Sequence, residues 1–433
     1  MQNLSPGELV IDPVFQWAAR YVEHAYEELN ALAEDRTQAV LPLLEKVLNA
    51  FHEERLCTQH FASVSGYGHG DQGREVLDRV FAKVLGAEKA IARLQFVSGT
   101  HAIAAALFGV LRPHDRLLAV TGRPYDTLEE VIGLRGAGQG SLTDFGVRYD
   151  EVPLQENGDL NFRALETALE DPVQLAFIQR SCGYSWRPSL SINKIKKVCD
   201  FIHKKQPQAI CFVDNCYGEF VEEKEPCEVG ADLIAGSLIK NLGGTIVPTG
   251  GYVAGLAHLV DKASCRLTSP GIGSDGGTGF DLNRTVMQGL FLAPQMVSEA
   301  LIGADLIASV FVGLGFEVNP RPLSIRGDVI QSVRFNNLEA LALVCRAFQA
   351  SSPVGSFLDP VPASMPGYES ELIMAGGTFI DGSTSEFSAD APLKAPYNIY
   401  IQGGTHRAHI KISLARALFE LVKAGFLDAP LSC

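Results

Sequence analysis

Lys240 stands in Gly236-Ser237-Leu238-Ile239-Lys240-Asn241, between Ile239 and the glycines Gly243 and Gly244, a setting unlike that of a solvated surface lysine. Partial burial there predicts a lowered ammonium pKa and an amine able to condense with an aldehyde. One strand-helix interval earlier, Asp214 closes the apolar run Phe212-Val213-Asp214-Asn215. Open α/β sheets bind ligands outside the carboxyl ends of their strands, so a carboxylate at that point can keep a ring nitrogen protonated; a simple helix cap explains it as well in isolation. Tyr125, in Arg123-Pro124-Tyr125-Asp126-Thr127, suits a ring that stacks on a ligand and exchanges protons with a substrate amine, with a core tyrosine as the rival reading. Ser98-Gly99-Thr100-His101 opens a helix after a strand. Backbone N–H groups and the macrodipole favour a phosphate there, and Gly99 allows close approach, although Ser98 alone reads more simply as an N-cap. Ser237, three residues before Lys240, adds a hydroxyl to the same cradle.

An amine, an acid for a pyridine nitrogen, an aromatic face and an anion cradle are the four needs of pyridoxal 5'-phosphate. Each has a residue at the carboxyl end of an expected strand, and this agreement predicts a site for that cofactor.

The elements that must carry these residues are short apolar runs alternating with helical stretches. The runs are Ala90–Val97, Arg116–Val120, Val147–Val152, Leu175–Gln179, Ala209–Val213, Leu233–Ser237 and Gly251–Ala254. They predict an α/β fold with a mostly parallel sheet covered by helices on both faces. Helical spacing of Val14, Trp17, Tyr21, then Val40, Leu43, Leu44 and Val47 predicts an N-terminal helical arm over residues 1–55. The large cofactor-binding domain is expected over 56–307. A smaller α+β domain over 308–433 is expected from hairpin-like strands at Gly315–Pro320, Val329–Phe335, Tyr397–Gln402 and His409–Ser413. A chain of 433 residues exceeds what one core usually supports.

With 46% hydrophobic and 20% charged residues the composition is globular. A net charge of -14 without a basic cluster argues against nucleic acid and for a small-molecule ligand. Nine cysteines without a C-x-x-C pair suggest reduced thiols and a cytoplasmic setting. Met1–Phe15 lacks a secretory pattern, and Ala300–Phe316, interrupted by Asp305, reads as a buried helix rather than a membrane span. No metal site is expected: Cys57 with His60 and His406 with His409 lack complete ligand sets, and the acidic run Glu219–Glu228 reads as a solvated helix or loop. Gly68-x-Gly70-x-x-Gly73 matches a dinucleotide fingerprint, but Cys57–Ser65 before it is no convincing strand.

Four segments resemble the pyridoxal-phosphate enzymes of cystathionine and methionine metabolism, within them the aluminium-resistance or methionine gamma-lyase-like branch. They are Ser65-Gly66-Tyr67-Gly68-His69-Gly70-Asp71-Gln72-Gly73-Arg74, Phe96–Ala102, Val213-Asp214-Asn215-Cys216-Tyr217-Gly218-Glu219-Phe220 and Gly236–Gly244. The resemblance runs from about Val14 to Phe426. It implies the aspartate aminotransferase-like fold, fold type I, with Lys240 as the Schiff-base lysine, Asp214 as pyridinium partner and Tyr125 as stacking tyrosine. It further implies Gly99, Thr100 and Ser237 as phosphate ligands, with Ser98 at the start of the cradle. Tyr67 and Arg74 are similar to residues that reach the phosphate from a neighbouring subunit, which implies a homo-oligomer, a dimer or tetramer. The chain departs from the related lyases in two places. Gln179-Arg180-Ser181-Cys182-Gly183-Tyr184-Ser185-Trp186-Arg187 stands where they supply an asparagine, and Lys411 stands where a substrate-carboxylate arginine is expected, leaving Arg407 or Arg187 as alternatives.

Two function classes follow. One is a carbon-sulfur lyase acting on a sulfur-containing amino acid by beta or gamma elimination, of the cystathionine beta-lyase or methionine gamma-lyase kind. The other is a cofactor-binding protein without efficient turnover, acting in regulation or in metal (aluminium) tolerance.

Overall fold

The computed structural model describes residues 12–136, 138–383 and 385–429. Most of Met1–Phe15, on which the absence of a secretory pattern was read, lies outside them. The chain divides into two units. One holds Val40–Pro294 with Ile325–Asp328; the other joins the described residues up to Ala39 to Gln295–Ser324 and to the chain from Val329 onward. The expected arm therefore splits after Ala39, and the next division falls at Pro294 rather than after residue 307.

In the first unit β1 (Lys89–Arg93), β2 (Arg116–Ala119), β3 (Arg148–Glu151), β4 (Leu175–Gln179), β5 (Ile210–Asp214), β6 (Leu233–Ser237) and β7 (Gly251–Gly255) form one sheet in the order β1-β7-β6-β5-β4-β2-β3. β7 runs antiparallel to both of its neighbours, while β2 to β6 pair in parallel. β4 and β6 are buried at every position, as near-continuous apolar runs of a sheet covered on both faces should be. β3 lies at one edge and carries the charged residues that discourage further pairing. The first expected strand ends at Arg93 instead of Val97: Phe96 is buried, but Val97 is exposed. Register aligns Asp214 with Gln179 on one side and Ala235 on the other. The carboxyl ends of β5 and β6 thus lie side by side, with Lys240 three residues beyond Ser237.

Helices α3 (Val40–Glu53), α4 (Gln72–Val84), α5 (Gly99–Val110), α6 (Asp126–Ile132), α7 (Phe162–Ala168), α8 (Ile192–Lys205) and α9 (Ala257–Leu267) belong to this unit. Ile103 and Leu107 of α5 and Leu259 and Ala263 of α9 share a buried cluster with Phe177, Phe212, Leu233 and Val253 of the sheet.

The second unit contains α1 (Pro13–Glu27), α2 (Asn30–Gln38), α11 (Leu338–Ala350) and α12 (Arg407–Lys423). Its antiparallel sheet has the order β10-β11-β12-β9-β8, from β8 (Glu317–Asn319), β9 (Ile330–Arg334), β10 (Leu372–Ala375), β11 (Ser388–Pro392) and β12 (Asn398–Gln402). Val22, Phe311, Val333, Val344, Ile401 and Leu418 bring α1, α11, α12 and the sheet into one core. The remaining helix, α10 (Asn283–Gly313), is apolar enough over 18 residues to pass for a membrane span, but 78% of that stretch is buried, as expected for a core helix.

His409–Ser413, expected as a strand, lies within α12. The buried Ile410 and exposed Ile412 alternate over too short a stretch to define a period. Ile410, Leu414, Leu418 and Leu421 continue the buried face at helical spacing. The His406 side chain starts the helix by accepting a bond from the Ala408 N–H at 3.1 Å.

Candidate functional site

The ends of β5 and β6 bring a buried acid and a half-buried amine together. Asp214 accepts a bond from the Cys216 N–H at 3.1 Å, and the Lys240 Nζ lies 3.6 Å from the centre of the Tyr217 ring. Burial pushes the Asp214 carboxyl up; the Lys240 ammonium, the Cys216 N–H and thiol and the Tyr125 hydroxyl pull it down without cancelling that rise. Burial alone pulls the Lys240 ammonium down, but Tyr217, Cys216 and Asp214 outweigh it and the net direction is up. This reverses the lowering expected from sequence, which weighed burial without the phenol, thiol and carboxylate that favour the cation.

Tyr125 precedes α6. Burial and the nearby charge of Asp214 hold its phenol well above the ordinary value, against a hydrogen bond from Thr100, so it stays a neutral proton donor. Thr100 thereby ties the start of α5 to the aromatic candidate. A Cβ on Gly99 would stand 3.1 Å from Ser237 Cβ and 3.2 Å from Cys216 Sγ, so glycine permits the helix start to approach β6 this closely. Ser98 Oγ accepts the His101 N–H at 3.1 Å as an N-cap, the simpler reading its sequence allowed, and Ser237 Oγ accepts the Ile239 N–H at 3.2 Å.

The structure therefore groups Lys240, Asp214, Tyr125, Thr100, Gly99 and Ser237. It adds Cys216 and Tyr217, which sequence reasoning quoted only as part of a motif. Glu219 was missed as well. It is fully buried and accepts the Tyr252 hydroxyl at 2.8 Å, and burial pushes its carboxyl up to about 8, with Glu225 repelling it further. Glu225 is also buried; it accepts from the Asn215 amide and the Phe220 N–H, each at 2.9 Å. Arg180, fully buried, donates to Asn215 at 2.8 Å and to Glu222 at 3.3 Å. The run Glu219–Glu228 is thus not the solvated segment expected. The signal available in sequence was its start, directly after a buried strand and the turn Asn215–Gly218.

The remaining candidates have different surroundings. Tyr67 is 80% exposed and stacks on His69 at 5.6 Å. Arg74 is buried and donates to the Gly68 and Gly277 carbonyls at 2.7 and 2.9 Å, while its Nε has no hydrogen-bond partner among the described residues. Arg187, pulled down by burial, donates to the carbonyls of Gln179 at 3.1 Å, Pro188 at 3.1 Å and Ser181. Lys411 and Arg407 belong to the second unit, and each has a carboxylate. Lys411 Nζ bonds both oxygens of Glu23 at 2.9 Å; Arg407 grips Glu299 through Nε and Nη2 and donates to the Tyr26 hydroxyl at 2.9 Å. Cys57 Sγ lies 3.6 Å from His60 Nδ1, and His409 bonds the Ser351 carbonyl at 2.8 Å. Thr58–Phe61 is a 3-10 helix rather than a strand, which removes the dinucleotide reading of the glycine loop.

Set against the needs of pyridoxal phosphate, the donor set fits. The N-terminus of α5 with Thr100 and Ser237 suits a phosphate, the Asp214 carboxylate a cationic ring nitrogen, Tyr125 a ring face, and the Lys240 amine an aldehyde.

A profile described as methionine gamma-lyase matches residues 18–422. Among curated proteins, the uncharacterized protein YnbB of Bacillus subtilis is 46% identical over 87% of this chain and 90% of its own length. A carbon-sulfur lyase involved in aluminium resistance from Clostridium novyi NT has a crystal structure with a TM-score of 0.89 and 46% identity, over 93% of this chain and 96% of that one. A candidate cystathionine beta-lyase involved in aluminium resistance from Listeria monocytogenes superposes with a TM-score of 0.90 at 47% identity, over 92% and 98%.

Proposed function

Since the chain belongs to the methionine gamma-lyase family, we propose that it is a pyridoxal-phosphate-dependent carbon-sulfur lyase acting on a sulfur-containing amino acid. The observation that carries this reading is the approach of the half-buried Lys240, just beyond β6, to the buried Asp214 at the end of the adjacent parallel strand β5. When bound, the cofactor supplies an electron sink for the substrate's alpha carbon. Lys240 Nζ would hold the cofactor's aldehyde carbon and, as a free amine, would take the substrate's alpha proton. Asp214 holds the proton on the ring nitrogen. Tyr125 covers the ring and, as a neutral phenol, hydrogen-bonds the substrate amine. The α5 start, with Ser98, Gly99, Thr100 and Ser237, receives the phosphate. The exposed Tyr67 and the buried Arg74 complete that cradle in a homo-oligomer, the arrangement the family resemblance implies.

Arg187 is the substrate-carboxylate ligand in this reading. It belongs to the same unit as Lys240 and bonds carbonyl oxygens, with the Asp328 carboxylate near enough to favour its charge, whereas Lys411 and Arg407 belong to the other unit and are held directly by carboxylates. Eight cysteines without a disulfide among the described residues support a cytoplasmic setting.

A second reading, a cofactor-binding protein without efficient turnover, is favoured by that same engagement of Lys411 and Arg407, which removes two of the three expected substrate cations. The two readings separate when the purified protein is given cystathionine, cysteine or methionine. Pyruvate or 2-oxobutyrate release supports the lyase, and no 2-oxo acid from any of the three supports the second reading.

A further inference from the structure

At the opposite end of β5 from Asp214, side chains from three separate elements converge. Cys199 and His203 stand four residues apart on α8 and therefore share one face of that helix. Cys211 lies at the start of β5 and Asp232 immediately precedes β6. One donor atom each from His203, Cys211 and Asp232 lie within 4.8 Å of one another. His203 Nε2 is 2.9 Å from Asp232 Oδ2, and the Cys211 N–H donates to that same oxygen at 2.7 Å. The Cys199 thiol, one helical turn before His203, acts on the Cys211 thiol more strongly than burial does, which brings a fourth donor to the group.

We propose that His203, Cys211 and Asp232, with Cys199 as the fourth ligand, form a binding site for a zinc-like divalent transition-metal ion. Two sulfurs, one imidazole nitrogen and one carboxylate oxygen match the tetrahedral preference of Zn2+, whose bonds of about 2.0–2.3 Å require ligand atoms roughly 3.3–3.8 Å apart. A small adjustment of the observed group provides that spacing: the His203–Asp232 pair opens from 2.9 Å and the wider separations, up to 4.8 Å, close. Both thiols lose their protons to solvent on binding. The backbone bond from Cys211 to Asp232 serves as the outer support that holds a ligating carboxylate in orientation. Sulfur ligands select a borderline or soft ion and disfavour a hard trivalent one such as Al3+.

Cys211 precedes Asp214 by three residues, about 10 Å along a strand, so the ion stands clear of the Lys240 site. Its effect there is to fasten α8 to the sheet. The site rests on none of the lyase chemistry, and it departs from the sequence expectation of no metal because its ligands come together only through tertiary structure.

The test is made on the full-length holoprotein, purified reduced, stripped with a chelator, reloaded with Zn2+ or Co2+ and desalted. The expected result is one zinc per chain, and with cobalt an absorbance band from sulfur-to-metal charge transfer. Cys211→Ser and Cys199→Ser should each weaken Zn2+ binding by roughly 100-fold or more, beyond the 10- to 100-fold cost of losing an outer-shell partner. His203→Gln, which alters a partly exposed side chain, should also lose the bound zinc while keeping the cofactor's visible absorbance, which controls for folding. Al3+ should not displace Zn2+. Zinc in the wild type no higher than in Cys211→Ser, with Cys199 and Cys211 titrating as reduced thiols, would overturn the site. So would a wild-type cobalt complex without the sulfur band.

Discussion

Lys240 and Lys411 each hold an ammonium over a tyrosine ring, 3.6 Å from the centre of Tyr217 and 3.5 Å from that of Tyr26. The contacts are alike, and the surroundings are not. Lys411 has both oxygens of Glu23 at 2.9 Å, and the partner carboxylate is half exposed, so the pair is a surface ion pair worth at most about 1 kcal/mol. Lys240 is set among groups that titrate: the thiol of Cys216, the phenol of Tyr217 and a carboxylate itself pushed up by burial. A lysine becomes useful for chemistry when its neighbours can exchange protons with it and when burial makes each charge costly. A cation over an aromatic ring does not by itself mark a site.

Four substitutions bear on this contrast. The largest effect is expected from Lys240→Ala, which removes the amine that anchors the cofactor; visible absorbance of the bound cofactor and all turnover should vanish while far-ultraviolet circular dichroism stays native. Asp214→Asn comes next. Loss of one charged hydrogen bond, about 1.5–3 kcal/mol, should lower kcat roughly 10- to 100-fold in steady-state assays, with Lys240 still carrying the cofactor.

Glu219→Gln tests the layer behind the two strands. Because folding raises the Glu219 carboxyl from the ordinary 4.5 to about 8, its protonated form is the one the fold favours. The stability linked to it is complete below about pH 4.5 and is lost as pH rises toward 8. Wild type should lose Tm across that window more steeply than Glu219→Gln, by the equivalent of a few kcal/mol, on the order expected for a buried carboxyl. Equal slopes for the two proteins would remove Glu219 from the account. Lys411→Ala should do least, changing stability by less than about 1 kcal/mol and leaving KM within about twofold. A tenfold rise in KM would return the substrate carboxylate to Lys411 and erase the distinction between the two lysines.

The α/β pattern of the first unit was legible because its central strands are continuous apolar runs and the helix after one of them opens on the cap residue Ser98. Lys240, Asp214 and Tyr125 stood out as candidates because each closes such a run or lies in the loop after it. Cys216 and Glu219 were not, since what sets them apart is burial in a turn, and Tyr217 was not, since what sets it apart is its ring beneath Lys240; neither leaves a periodic trace. The direction of the Lys240 shift was misjudged for the same reason: it depends on neighbours at positions 214, 216 and 217 facing position 240 across two strands. His409–Ser413 misled because five residues with two isoleucines fit either period. Cys199, His203, Cys211 and Asp232 form no sequence motif as a set, although the first two show helical spacing.

Borohydride reduction of the holoprotein, followed by peptide mass spectrometry, reads directly which amine carries the cofactor. A phosphopyridoxyl group on the peptide containing Lys240, and on no other, is the result expected here. The same group on Lys411 or any other lysine, with Lys240 unmodified, would contradict the assignment on which the proposed chemistry stands.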